Sequence, residues 1–121
     1  MTTTDKPLDF LWFIPSSGDG ACLGTDLLSR PAEPDYFRQI ARAADQLGYS
    51  GVLIPTGAAC EESFILAANL AAYTERLKFL VAVRPGTASP AYCARLAATL
   101  DRVSRGRQRA GTGRGRHFPG A

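Results

Sequence analysis

Cys60 is the side chain with the most latent chemistry in this chain. It closes Thr56-Gly57-Ala58-Ala59-Cys60, between a short apolar run ending in Pro55 and the acids Glu61 and Glu62. A thiol just ahead of a helix N-terminus can donate a weak hydrogen bond and has its thiolate favoured by the helix dipole, an effect the two acids oppose. A free cysteine is also at home as a small apolar residue packed under a loop. Arg84 follows another apolar run and opens Arg84-Pro85-Gly86. At a strand mouth it could meet an anion, or simply cap the strand end for solubility. Cys22 and Cys93 stand far from Cys60 in sequence, with no Cys-x-x-Cys pair and only His117 as a nitrogen ligand. That spacing argues against a zinc site or a disulfide framework.

The second concentration of reactive side chains is SRGRQRAGTGRGRHFPGA, residues 104–121. Up to Ser104 there are nine Lys and Arg against eleven Asp and Glu; the remaining 17 residues hold five Arg and no acid, which gives the net +3. The basic character therefore belongs to the tail, and the body attracts neither a phosphate backbone nor an anionic membrane. Arginine contacts to a single strand gain from interleaved aromatic residues, and the tail offers only Phe118, so nucleic acid is not the expected partner. Gly111, Gly113 and Gly115 lack the following Gly-Lys-Ser/Thr and helix of a phosphate loop; Arg116-His117-Phe118-Pro119 follows instead.

These residues are strung along a regular pattern. At 121 residues, 45% apolar and 21% charged, the chain has the composition of an ordinary globular domain. Leu8 to Pro15 (LDFLWFIP) reads as a strand buried on both faces, stopped by proline and a long Gly/Ser/Asp/Pro loop over residues 16–33. From Pro34 the period changes to helical, with Phe37, Ile40, Ala44 and Leu47 on one face and Gly48 as the stop. Gly51 to Pro55 is a second strand, and a helix is expected over roughly residues 61–73. Leu77 to Val83 is a third strand, and Ser89-Pro90 caps a helix carrying Leu96, Leu100 and Val103 on one face and ending at Gly106. Three successive βα units imply parallel strands with right-handed crossovers. The first loop has no Gly-x-Gly-x-x-Gly turn running into a helix, which weighs against a doubly wound dinucleotide fold. The alternative is an α/β fold comprising the first three βα units of an eight-stranded TIM barrel, less than half of the roughly 250 residues such a barrel takes.

Read together, LWFIPSSGDGACLGT, QIARAADQLGYSGVLIPTG, CEESF, ERLKFLVAVRPG and SPAYCARLAATLDRVSRGR resemble the opening of the flavin-dependent alkanesulfonate monooxygenases of the bacterial luciferase-like family, from about Leu11 to Arg107. ARLAATLDRVSRGR marks the superfamily broadly; FIPSSGDG, GVLIPTGAACEE and LVAVRPG point to the sulfonate branch. The resemblance implies a barrel that binds reduced FMN, delivered by an NAD(P)H-dependent flavin reductase, at the C-terminal ends of its strands. It implies use of O2 to turn an alkanesulfonate into an aldehyde and sulfite, and assembly through helices corresponding to residues 61–73 and 90–104. Cys60 matches a cysteine beside the flavin and substrate pocket, the implied catalytic position. Trp12 and Phe13, ending the first strand, are candidates for a wall against the flavin ring or for core packing, and Arg84 for a contact with the flavin edge or an anion. Ser17 departs from the pattern, where many members have histidine.

From Gln108 onward the chain has no β-branched residue except Thr112, so no fourth buried strand is expected. The expected organisation is a family part over residues 1–107 and an irregular Arg/Gly-rich tail over 108–121. On this reading the chain is a truncated, inactive version of the enzyme, with the tail from a shifted frame or broken gene copy, or else a non-catalytic remnant that only oligomerises. The N-terminal apolar run of about seven residues is too short for a membrane span and wrongly flanked for a signal peptide, so a cytoplasmic location is expected.

Overall fold

A computed structural model describes residues 7–112. Within them the order is β1 (Leu11–Phe13), α1 (Pro34–Gln46), β2 (Gly51–Ile54), α2 (Ser63–Ala71), β3 (Lys78–Val83), α3 (Pro90–Val103) and β4 (Gln108–Thr112). Each helix starts where its sequence chemistry says it should. Pro34 occupies the first turn of α1, the Glu62 carboxylate accepts from Ile65 N–H at 2.7 Å to cap α2, and Ser89 Oγ accepts from Tyr92 N–H to cap α3. Gly48, at φ +85°, follows α1 and turns the chain into β2.

The four strands form one parallel sheet in the order β1-β2-β3-β4. The order never reverses, so the switch point that defines a doubly wound sheet is absent among the described residues. Strand alternation sorts the side chains into two layers. Val52, Ile54, Phe79 and Val81 are fully buried beneath the helices, against Phe37, Ala41, Leu70 and Leu100. Leu53 and Leu80, between them in sequence, lie on the opposite, uncovered face. Gly51 makes close pairing of β2 and β3 possible, because a Cβ there would stand 2.7 Å from the Lys78 carbonyl oxygen.

Two expectations are corrected. The first strand is neither eight residues long nor buried on both faces; Leu11, Trp12 and Phe13 are about half exposed, because β1 is the edge strand, and full burial begins only at Ile14. The stretch expected to be incapable of a strand forms β4, paired with β3 from Phe79↔Gln108 to Val83↔Thr112. Strand propensity is context-dependent, and the five-residue apolar template Phe79 to Val83 in β3 outweighs the poor intrinsic preference of QRAGT. Leu47 and Val103 are also exposed, since each lies at or just past a helix end.

Arg107 delivers β4 to that template. Its guanidinium donates to the Ser104 carbonyl (2.7 Å), Thr74 Oγ1 (2.8 Å), the Ala71 carbonyl (2.8 Å) and the Leu77 carbonyl (3.3 Å), and lies over the Phe79 ring. Nearby, the Asp45 carboxylate accepts from the backbone N–H groups of Glu75, Arg76 and Leu77. Burial works to raise the Asp45 pKa, but those three bonds and the Arg76 charge outweigh it and hold the group below its ordinary value. Both anchors lie at the N-terminal end of the sheet, where they serve stability and leave the other end free.

Candidate functional site at the C-terminal end of the sheet

The loops that follow β1, β2 and β3 share the C-terminal end of the sheet, where parallel α/β folds bind their ligands. The first loop, residues 14–33, is tied at its base. Asp19 and Arg30 exchange two backbone bonds of 2.9 and 2.7 Å, and Tyr36 Oη donates to Asp19 Oδ2 at 2.7 Å. Burial and the bond to Asp19 push the Tyr36 pKa up. Gly18 permits this closure, since at φ +93° a Cβ would meet the Arg30 carbonyl oxygen at 2.8 Å. Leu23, Leu27 and Leu28 are left exposed beyond the tie.

The second loop is fastened to the first. Glu61 N–H donates to the Ser16 carbonyl at 3.1 Å, and Cys60 N–H donates to the Gly57 carbonyl at 3.1 Å. Cys60 is half-buried, its sulfur folded back to within 3.5 Å of where a Gly57 Cβ would stand. Ser16 is fully buried, and its hydroxyl has no hydrogen-bond partner. Ser63, in the first turn of α2, donates to the Ala82 carbonyl and ties the second loop to β3.

Of the residues singled out in the sequence, the structure brings Trp12 and Phe13 together, their rings stacked with centroids 5.9 Å apart. Phe13 is in register with Leu53, and through it with Leu80, on the uncovered face. Trp12 is in register with the buried Val52, and its ring, beside that of Phe13, also meets Tyr49 edge-on with centroids 5.9 Å apart. Arg84 is exposed, and lines an open groove of about 460 Å³ between the start of α3 and α2, together with Phe64, Val83 and Cys93. Cys60 belongs to the junction of the first two loops. The exposed residue in the serine pair is Ser17, while the buried Ser16, which the sequence reading passed over, has the unsatisfied hydroxyl. Its one sequence signal is its position immediately after the strand-ending Pro15.

The row Phe13, Leu53 and Leu80 suits the face of a planar aromatic ring system, and the orphaned Ser16 hydroxyl is a polar group at the same end of the sheet. The α2 N-terminus is less suited to a phosphate, because Glu61 and Glu62 stand there and Glu62 already takes one of its free N–H groups. These residues therefore fit the ring of a flavin, while its phosphate needs groups outside this set. Among the described residues no three His, Cys, Asp or Glu are grouped to hold a metal ion, and no helix is long and apolar enough to cross a membrane. Arg114, Arg116, His117 and Phe118, weighed as a nucleic-acid tail, and most of the glycine run, lie outside the described residues.

The fold has counterparts among solved proteins. The chain superposes on riboflavin lyase (RcaE), solved with modified FMN and the substrate riboflavin, with a TM-score of 0.69, 21% identity, and 88% of this chain against 30% of that one. It is similar to the monooxygenase RslO1 from Streptomyces bottropensis, with a TM-score of 0.65, 22% identity, and 87% of this chain against 32% of that one. The chain thus spans about a third of the length of these structures, and at such identity they show the shared fold. The family model for luciferase-like monooxygenases matches residues 8–119, from the approach to β1 through β4 and beyond. With nearly its whole length matched, the chain belongs to the luciferase-like monooxygenase family.

Proposed function

We propose that this chain forms the opening strands of an FMN-dependent monooxygenase site that desulfonates alkanesulfonates, taking reduced FMN from an NAD(P)H-dependent reductase. The observation that carries the proposal is the apolar row Phe13, Leu53 and Leu80, left uncovered at the end of the sheet where the loop bearing Cys60 is fastened to the loop bearing Ser16. Reduced FMN, when bound, supplies the electron pair that activates O2, one oxygen atom going to the sulfonate carbon and the other leaving as water. The carbon–sulfur bond then breaks, giving aldehyde and sulfite. Phe13 would flank the ring, and Trp12, stacked beside Phe13 and edge-on to Tyr49, would hold it in place. The Cys60 thiol would donate a weak hydrogen bond at the pocket rim, and Arg84 would draw the anionic sulfonate toward the mouth.

Anaerobic titration with reduced FMN, read by flavin fluorescence, tests the first half of this reading. Phe13→Ala should weaken binding about tenfold, the worth of one aromatic contact. Sulfite release in the presence of O2, NADH and a flavin reductase tests the second, with a carboxylate of equal chain length as the control. Absence of flavin binding by the intact chain overturns the proposal; flavin binding without sulfite release overturns the sulfonate assignment alone.

A further inference from the structure

The helix layer carries a second concentration of polar groups, away from the loops that follow the strands. Arg38 and Arg42 lie one turn apart on α1, and both guanidiniums approach the ring of Tyr73, just past the end of α2. The Arg38 Cζ stands 4.3 Å and the Arg42 Cζ 5.4 Å from the ring centroid. The ring neutralises neither charge, and like charges at this helical spacing repel. Carboxylates do little to offset them. Arg38 Nη1 meets Asp35 Oδ1 at 3.2 Å, but Asp35 is almost wholly exposed, and a pair so open to water is weak. Arg38 Nε is buried with no hydrogen-bond partner, and Arg42 has no ion-pair partner among the described residues. Asp45, three residues further on, is already taken by the N–H groups of Glu75, Arg76 and Leu77. The two cations border an open groove of about 540 Å³ whose other walls include the amides of Gln39 and Gln46. Every wall belongs to α1 or to the turn after α2, so the groove involves neither edge of the sheet.

We propose that this groove binds a doubly charged tetrahedral oxyanion, a phosphate group either free or carried as the monoester of a small polar molecule. A guanidinium is a planar fork that matches two oxygens of a phosphate, and two such forks supply the two charges a phosphate dianion brings. The Tyr73 ring holds both forks near one another before any ligand arrives, which lowers the ordering cost of binding. The Gln39 and Gln46 amides can donate to the remaining oxygens or to the hydroxyls of an ester. A concave groove of this size suits a small molecule better than a flat protein surface. The body up to Ser104 has a slight excess of acid, so the attraction is that of this local pair and not of a long-range field. The Asp45 bonds to residues 75–77, at the entry to β3, set the groove toward the N-terminal end of the sheet, so its ligand does not compete with one at the other end.

Titration of the full chain with inorganic phosphate, without flavin and with ionic strength held constant by sodium chloride, tests this. The readouts are the NMR signals of the Tyr73 ring and of the Arg38 Nε–H. Both should shift and saturate with a dissociation constant of about 1 mM. Arg42→Gln, on an exposed side chain that the fold does not need, should weaken binding about tenfold. Arg95→Gln on α3, which lines no part of this groove, should leave it unchanged. Ribose 5-phosphate serves as the second probe: tighter binding than inorganic phosphate supports a monoester as the ligand, and equal binding supports the free ion. Shifts that fail to saturate, shifts that chloride alone reproduces, an Arg42→Gln variant that binds as the parent does, or an equal loss in Arg95→Gln would each overturn the proposal.

Discussion

Replacing Arg107 with alanine removes the fastening between three elements at once. The guanidinium bridges the carbonyls of Ala71 and Ser104, at the C-terminal ends of α2 and α3, to Thr74 and to Leu77 at the entry to β3. Hydrogen bonds with a charged partner contribute about 1.5–3 kcal/mol each, and they are not additive. The side chain is only part-buried and burial lowers its pKa against a compensating Asp45 charge, so part of the gross value goes to desolvation. Alanine also leaves the Ala71 and Ser104 carbonyls without the cation that suits a helix C-terminus. A net loss of about 3–4 kcal/mol follows, large against the ~5–15 kcal/mol of a typical domain. With a urea slope of about 2 kcal/mol per M, the midpoint should fall by about 1.5–2 M. Arg107→Lys keeps the charge but cannot fan out to acceptors on opposite sides, and should recover less than half of the loss. Urea titration by circular dichroism checks both. A midpoint within about 0.3 M of the parent for the alanine variant, or full recovery by lysine, would refute the fork geometry as the source of stability.

Asp45, whose pKa is lowered in the folded state, contributes stability that is complete above the ordinary carboxylate value near ~4 and is lost as pH falls through the lowered one. Acidification should therefore cost the parent stability in that range, and Asp45→Asn should show a smaller slope; equal slopes in urea titrations across the range would contradict the assignment. Ser16→Ala removes a buried hydroxyl with no partner and should raise the thermal midpoint, by the equivalent of about 1 kcal/mol, in protein without flavin. If the hydroxyl serves the flavin, the same variant should weaken FMN binding. A destabilised variant with unchanged FMN affinity would refute both statements.

The sequence by itself determined the alternation of elements, because its signals are local. The strand-ending prolines at Pro15 and Pro55, the Ser89-Pro90 cap and the Gly48 stop each act within a few residues, and α1, β2, β3 and α3 appear within a residue or two of their expected bounds. The resemblance carried by motifs such as ARLAATLDRVSRGR likewise pointed to the family that the match over residues 8–119 shows. Tertiary structure decided what depends on neighbours. It made β1 a half-exposed edge, stacked the Trp12 and Phe13 rings beside one another there, and drew Gln108–Thr112 into a strand that its own composition disfavours. It also chose Ser16 over Ser17 as the buried hydroxyl and made Arg107 a fastening. Such outcomes turn on which strand lies alongside and which acceptors converge in space. A one-dimensional pattern does not carry that information, because pairing partners dozens of residues apart supply the hydrogen bonds and the burial.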